Sequence, residues 1–168
     1  MIIRDEHIND INVIRENNNL AFKGEAEGKL IDRLRRENND LISLVAEESG
    51  QVVGHILFSP ASIHDKGKST EIVGLAPMAV HPSFQKKGIG SVLIKEGLSR
   101  CIKKGYGAIV VLGHPEYYPK FGFVPSTKHN ISCEYDVPEE VFMILELRKD
   151  FLKGISGIAK YHPAFNEM

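Results

Sequence analysis

Residues 79–94, Ala-Val-His-Pro-Ser-Phe-Gln-Lys-Lys-Gly-Ile-Gly-Ser-Val-Leu-Ile, restrict the fold of this chain more than any other segment. Apolar residues lead in, Pro82 ends the strand they predict, and Gly88 and Gly90 open a helix continued by Val92, Leu93 and Ile94. Lys86 and Lys87 stand directly before the first glycine. Glycine has no Cβ to hold a ligand away from the backbone, and the first turn of a helix presents unsatisfied N–H groups at the positive end of its dipole. The segment therefore predicts a strand, a tight loop and a helix start that accepts a phosphate, with a simple tight turn as the plain alternative.

Two familiar phosphate loops do not fit. The dinucleotide pattern needs a third glycine where Leu93 stands. Gly67-Lys68-Ser69 matches the end of a nucleotide P-loop, but Ser62 occupies the place of its first glycine and no apolar helix follows. What remains is Gln85, two residues, Gly88, one residue and Gly90, directly after a strand that ends Val80-His81-Pro82.

The rest of the chain supplies strands and helices around this segment. Met1 to Arg4 reads as a short strand, and Asp5 caps a helix carrying Ile8, Ile11 and Ile14 until Asn17-Asn18-Asn19 loosens it. Ala26, Leu30 and Leu34, with Ile31 beside them, predict a second helix. Leu41 to Glu47 and Val52 to Ser59 form a hairpin around Ser49-Gly50, and His64 to Lys68 is a polar turn. Ile72 to Val80 is the next strand; because Pro77 cannot donate to a ladder, it should bulge or splay there, or lie at an edge. A largely packed helix runs from Gly88 to Lys104, with Ile94, Leu98, Cys101 and Ile102 on one side and Ile89, Val92 and Leu93 on another. Gly105 ends it, Tyr106 to Leu112 is a buried strand, and a short helix covers Glu116 to Lys120. Cys133 falls in a loop or strand, and Glu140 to Leu147 closes the sheet with Phe142, Ile144 and Leu147 in the core. Strands outnumber helices and mostly adjoin in sequence, so the expected fold class is α/β (α+β), a mixed sheet flanked by helices.

Length and charge narrow the function classes. A chain of 168 residues suits a single domain over 1–168, and 42% hydrophobic with 26% charged residues is ordinary for a globular protein. The net charge of −1 gives no bulk reason to bind nucleic acid, despite the cluster Lys86, Lys87, Lys95, Arg100, Lys103 and Lys104. No apolar run approaches the roughly 18 to 20 residues of a membrane helix. A start of Met-Ile-Ile-Arg-Asp-Glu-His without a secretory pattern, and only two cysteines, Cys101 and Cys133, point to a reducing, cytoplasmic setting.

Gln85, Gly88 and Gly90 resemble the acetyl-CoA motif of the GNAT family of N-acetyltransferases, in which Gln or Arg, two residues, Gly, one residue, and Gly or Ala follow the fourth strand. Tyr118-Pro119-Lys120-Phe121-Gly122-Phe123 resembles the family's Tyr-x-x-x-Gly-Phe segment after the fifth strand. The wording from Gly113 to Phe123, with Tyr161-His162-Pro163-Ala164-Phe165 near the end, is similar to a bacterial branch of predicted acetyltransferases of the YhbS type. The resemblance implies a mostly antiparallel mixed sheet with a splayed central strand pair, and acetyl-CoA as co-substrate without a metal. It implies that the backbone from Lys87 through Gly88, Ile89, Gly90 and Ser91 holds the pyrophosphate, with Gln85 shaping the loop. Met78 and Val80 would pair with pantetheine, and Lys86 and Ala79 complete the cofactor-binding set. The sequence departs from the family where many members carry an Asn early in the short helix; Gly113-His114-Pro115-Glu116 stands there instead.

Acetyl transfer needs an anchored thioester, a neutral amine, donors for the oxyanion and a proton for the leaving thiolate. Tyr118 lies at the family's spacing for the group that protonates the thiolate; a phenol, of pKa about 10, is protonated at neutral pH when a thiol of about 8.5 departs. A packed structural tyrosine is the other reading of Tyr118, and Tyr117 is the weaker candidate. Glu71, His81, His114, Glu116 or a water path are the candidates for general base. The expected acceptor is a primary amine of a small molecule or peptide, and Glu25 and Glu27 would suit a cationic one. A non-catalytic acyl-CoA sensor is the alternative function. Tyr161 and Phe165 pack either across a homodimer or back on the core.

Overall fold

A computed structural model describes all residues, 1–168. The chain forms two compact units, Met1–Phe58 with Ala76–Arg100 and Ala164–Met168, and Ser59–Leu75 with Cys101–Pro163.

In the first unit, β1 (Ile2–Asp5) pairs antiparallel with β2 (Ile42–Glu48), and β2 with β3 (Gln51–Asp65), placing Leu44 opposite Ile56. Ser49 and Gly50, both at positive φ (51° and 80°), make the tight turn that matches the right-handed twist of a hairpin. Side chains alternate along these strands. Val45, Val52 and Leu57 join Ile14 of α1 (Ile11–Phe22), Leu30, Ile31 and Leu34 of α2 (Ala26–Glu37) and Ala164 in one apolar cluster, with Phe165 packed against it. Each buried Val, Leu or Ile side chain among them contributes about 1.5–3 kcal/mol by leaving water. Gly54 in β3 lets α3 (Ile89–Lys103) settle closely, since a Cβ there would stand 3.1 Å from Ile89 and 3.2 Å from Leu93.

In the second unit, β4 (Lys68–Val80) pairs in parallel with β5 (Ala108–Leu112) at Val73, Gly74 and Leu75 opposite Ile109, Val110 and Val111. A parallel neighbour needs a crossover, which α3 supplies. β5 pairs antiparallel with β8 (Phe142–Glu146), and β8 with β6 (Val124–Pro125). β9 (Gly157–Lys160) runs antiparallel to the end of β3 and parallel to β7 (Ile131–Cys133). Hydrogen bonds link the strands in the order β1-β2-β3-β4-β5-β8-β6. The fold is the expected mixed, mostly antiparallel sheet with three α-helices, and no helix is long and apolar enough to cross a membrane.

Several local expectations are corrected. Asp5 ends β1 and pairs with Arg100 instead of capping α1. The acid at the helix entry is Asp10, whose carboxylate accepts from the His7 N–H at 2.7 Å and from Arg4 at 2.8 Å, and Ile8 is left 82% exposed. Asn17-Asn18-Asn19 lie inside α1: Asn17 Nδ2 donates to the Val52 carbonyl at 3.0 Å and Asn18 Nδ2 to that of Ile14, one turn back, at 2.9 Å, while the buried Oδ1 atoms of Asn18 and Asn19 meet no hydrogen-bond donor. The β3–β4 turn shrinks to Lys66 and Gly67, so both strands extend beyond their expected ends, and β4 lies between β3 and β5 and is no edge strand. Val92 and Ile102 are exposed on α3, and Leu147 lies just past β8, half-buried. Beyond the last expected strand the chain adds β9, whose pairing partners are distant in sequence and leave no local signature. Tyr161 and Phe165 both pack back on the protein's own interior.

Candidate active site

The loop between β4 and α3 is fastened by its own side chains. Gln85 Nε2 donates to the Val80 carbonyl at 2.9 Å, closing the loop onto the end of the strand it leaves. His81 Nδ1 accepts from the Ser83 N–H at 3.1 Å, its ring meets Phe84 edge to face at 5.9 Å, and the Lys87 ammonium sits 5.4 Å over the Phe84 ring. Lys86 (φ 63°) and Gly88 (φ 85°) adopt left-handed backbone, turning the chain sharply into α3, where the Val92 N–H reaches the Gly88 carbonyl at 3.2 Å. A Cβ at Gly88 would meet nothing within 4 Å, so the backbone there is open to an approaching group. Ile89 is buried and anchors the first turn, while Gln85, Lys86, Lys87 and Gly88 face solvent. An anion finds there N–H groups, a helix dipole and two lysines.

The end of β4 presents its backbone in a definite direction. The His81 N–H donates to the Val53 carbonyl of β3 at 2.8 Å. Backbone groups of successive strand residues alternate sides, so those of Val80 and Met78 point away from β3. Ladder pairing with β5 ends at Leu75 opposite Val111, two residues before Pro77; the Ala76-Pro77 peptide is cis. Met78 and Val80 are half-buried and Ala79 is buried.

Tyr118 opens a 3₁₀ turn, Tyr118–Phe121, closed by Gly122 at φ 100°. Its ring lies over Gly113, where a Cβ would stand 2.4 Å away, and meets Phe123 edge to face at 5.7 Å. The side chain is only 7% exposed. Burial, assisted by the neighbouring Tyr117, pushes its phenol up to about 12, so it is protonated across the neutral range. Tyr117 is half-buried and edge-on to it at 5.3 Å.

The cofactor set from Met78 to Ser91 is thus contiguous within the first unit, and Tyr118 belongs to the second. Among the candidate bases, Glu71, His114 and Glu116 are exposed. His81 is half-buried, and its Nδ1 is engaged by the Ser83 N–H. Two features escaped the sequence reading. The Tyr161 hydroxyl accepts from the Leu112 N–H and donates to the Leu75 carbonyl, both at 3.1 Å. A half-buried polar group of Glu6, Arg35 and Ser43 meets the fully buried His55, with Arg35 bidentate on Glu6 and Ser43 Oγ 2.8 Å from His55 Nε2. Tyr161 was visible only as a terminal aromatic, and residues 6, 35, 43 and 55 form no local pattern.

Comparison with known proteins agrees with this geometry. Residues 11–123 match the model of the acetyltransferase (GNAT) family. The chain is 36% identical over 147 residues to the uncharacterized N-acetyltransferase YhbS of Escherichia coli K12, covering 87% of each protein. The crystal structure of Escherichia coli YhbS in complex with CoA superposes with a TM-score of 0.91 at 35% identity, covering 98% of this chain and 91% of that one. A GNAT family acetyltransferase from Brucella melitensis in complex with acetyl-CoA gives 0.79 at 36% identity, covering 98% and 97%. The chain belongs to the GNAT family of acetyltransferases.

Proposed function

We propose that this acyltransferase takes its acetyl group from acetyl-CoA and delivers it to a primary amine of a small molecule or peptide by direct attack on the thioester. The observation that carries the reading is the Gln85-fastened loop, with left-handed Lys86 and Gly88 opening α3 beside two exposed lysines. Two relatives of 35% and 36% identity whose structures hold CoA and acetyl-CoA support it. The catalytic domain is taken as 1–168; the family match alone runs through parts of both compact units. Its setting is taken as the cytoplasm, which suits the free cysteines Cys101 and Cys133.

In this scheme the N–H groups from Lys87 to Ser91 hold the pyrophosphate, with Lys86 supplying charge. Backbone groups of Met78 and Val80, flanking Ala79, pair with pantetheine, and one of their N–H groups receives the oxyanion. The amine forms its C–N bond as the thioester C=O opens, and collapse of the tetrahedral intermediate breaks the C–S bond. Tyr118 donates a hydrogen bond to the departing sulfur. With its phenol near 12 and a free thiol near 8.5, complete transfer from Tyr118 alone is uphill by about 5 kcal/mol. The tyrosine therefore relays: it gives its proton to sulfur as it regains one from the ammonium of the intermediate.

The test is calorimetric titration with acetyl-CoA of the wild type and of Gly88→Glu and Gly90→Glu. The expected result is micromolar binding that both variants lose, since each places a carboxylate in the phosphate's path. A wild type that does not bind acetyl-CoA overturns the reading.

A further inference from the structure

His55 is the one buried histidine of seven, with no exposed surface at all. Its ring meets a polar chain that joins four elements of the first unit. Arg35, near the end of α2, holds Glu6, just past β1, by two bonds of 2.9 and 3.1 Å. The Ser43 hydroxyl of β2 bonds Glu6 Oε1, and Ser43 Oγ lies 2.8 Å from Nε2 of His55 on β3.

Proton bookkeeping fixes the direction of this chain. An ionised carboxylate only accepts, so the single Ser43 hydroxyl proton goes to Glu6 and the serine oxygen accepts from His55. The ring therefore carries its proton on Nε2 and leaves Nδ1 bare. Nδ1 is buried and meets no hydrogen-bond partner. A second proton can enter only there, where it would make a buried cation with an unpaired N–H. Burial accordingly holds the imidazole below its ordinary 6.5.

The charged groups around the ring divide. Glu6 Oε1, 3.8 Å from Nε2, favours a cation; Arg35 opposes one and already holds that carboxylate, with Asp32 bonded to Arg35 at 3.1 Å. Val45 is opposite His55 on β2, and β4, the neighbour of β3 on its other side, brings only Ala76–Val80 to this unit, none of them titratable. The buried face of α1, Ile14, Asn17 and Asn18, has no titratable group either. Glu6, Arg35 and Ser43 line a cavity of about 330 Å³ together with Asn38 and Asn39 past the end of α2, whereas His55 does not reach it. The three side chains are thus the layer between the ring and that cavity, and parting Arg35 from Glu6 opens it.

We propose that His55 is the acid-sensitive pin of a latch: while its ring is neutral, Arg35, Glu6 and Ser43 hold the end of α2 to the strands, and a proton taken from solvent at Nδ1 releases that end. Release exchanges the buried bonds for hydration of the imidazolium. The closed form binds one proton fewer than the open form once the pH falls below the ordinary value for histidine, so acid favours opening.

The test compares the wild type with His55→Gln, whose amide still donates to Ser43 and takes up no proton. Ring nitrogen chemical shifts of the folded wild type should show His55 protonated on Nε2 alone from about pH 7 to about pH 5. Over the same range, hydrogen exchange at the Leu34, Arg35, Arg36 and Glu37 amides, corrected for the intrinsic rate, should lose protection about tenfold per pH unit below the ordinary histidine value. That opening should be insensitive to low urea, because a local release exposes little surface. His55→Gln should show no such slope. A ring protonated on Nδ1 while α2 stays protected, a flat wild-type profile, an opening that urea promotes as strongly as global unfolding, or a slope retained in His55→Gln overturns the latch. If His55→Gln does not fold, the three wild-type readings decide.

Discussion

Replacing Gly88 with Ala separates the conformational role of that position from its role toward a ligand. Gly88 has φ 85°, and a Cβ there meets nothing within 4 Å. Within the free protein the substitution therefore carries no steric term, only the cost of left-handed backbone for an L-residue, about 1–2 kcal/mol, partly offset by the stiffer unfolded chain. The net loss is about 1 kcal/mol, or about 2–4 °C in Tm for a chain of this size. Gly50 offers a control with nearly the same numbers, φ 80° and open space within 4 Å, in the β2–β3 turn. Gly50→Ala and Gly88→Ala should therefore lose similar stability in urea titrations. They should differ in calorimetric titration with acetyl-CoA: Gly88→Ala weakens binding at least tenfold, about 1.4 kcal/mol, because the methyl occupies the approach of the phosphate, while Gly50→Ala binds as the wild type does. Wild-type affinity in Gly88→Ala would refute the phosphate loop, and a stability loss above about 3 kcal/mol would refute the open backbone deduced here.

Three further outcomes are expected. Tyr118→Phe should lower kcat about a hundredfold and leave acetyl-CoA affinity and Tm near wild type; an unchanged kcat removes Tyr118 from the chemistry. For Glu6, burial alone would raise the carboxyl, but its polar neighbours, the Arg35 guanidinium and the Ser43 hydroxyl bonded to it and His55 nearby, more than offset it and hold the group at about 2. At 3.8 Å His55 does not bond Glu6 directly and is itself kept neutral by burial, so Arg35 and Ser43 are the effective partners. The folded value lies below the ordinary 4.5, so the unfolded chain takes up the proton first. About 3 kcal/mol of stability is then present above pH 4.5 and lost as the pH falls toward 2, a slope that Arg35→Met should flatten in acid-denaturation curves. Asn17→Ala should cost about 1–3 kcal/mol in urea because it leaves the buried Val52 carbonyl without its donor; a loss under about 0.5 kcal/mol would show that the carbonyl finds another partner.

The parts of the fold legible in sequence are those whose cause is local. Periodic Ala26, Leu30, Ile31 and Leu34 had a single helical reading, and all but Ala26 are buried in α2. The left-handed backbone at Ser49-Gly50 and at Gly88 follows from residues that tolerate it or from the turn that needs it. Local rules failed at Asn17-Asn18-Asn19, where side chains that compete with a helix in water lie within one, the Asn17 and Asn18 amide nitrogens donating to the carbonyls of Val52 and Ile14. They failed again at Asp5 and Asp10, two acids near one helix start, because the Arg4 guanidinium draws Asp10 into the entry and Arg100 holds Asp5 outside it. For the site, the loop from Gln85 to Gly90 was legible because Gln85 closes on Val80, only five residues away.

Sequence alone determined the strand, loop and helix start proposed to hold the phosphate, the two α-helices before them, and the tyrosine that follows β5, because each depends on interactions within a few residues. Only the tertiary structure decided that the hydroxyl of Tyr161, 86 residues beyond Leu75, bonds both the Leu75 carbonyl and the Leu112 N–H. It also decided which tyrosine is buried enough to keep its proton, and that Glu6, Arg35, Ser43 and His55 form one polar group. Desolvation and hydrogen-bond partners belong to positions in space, and no spacing along the chain encodes them.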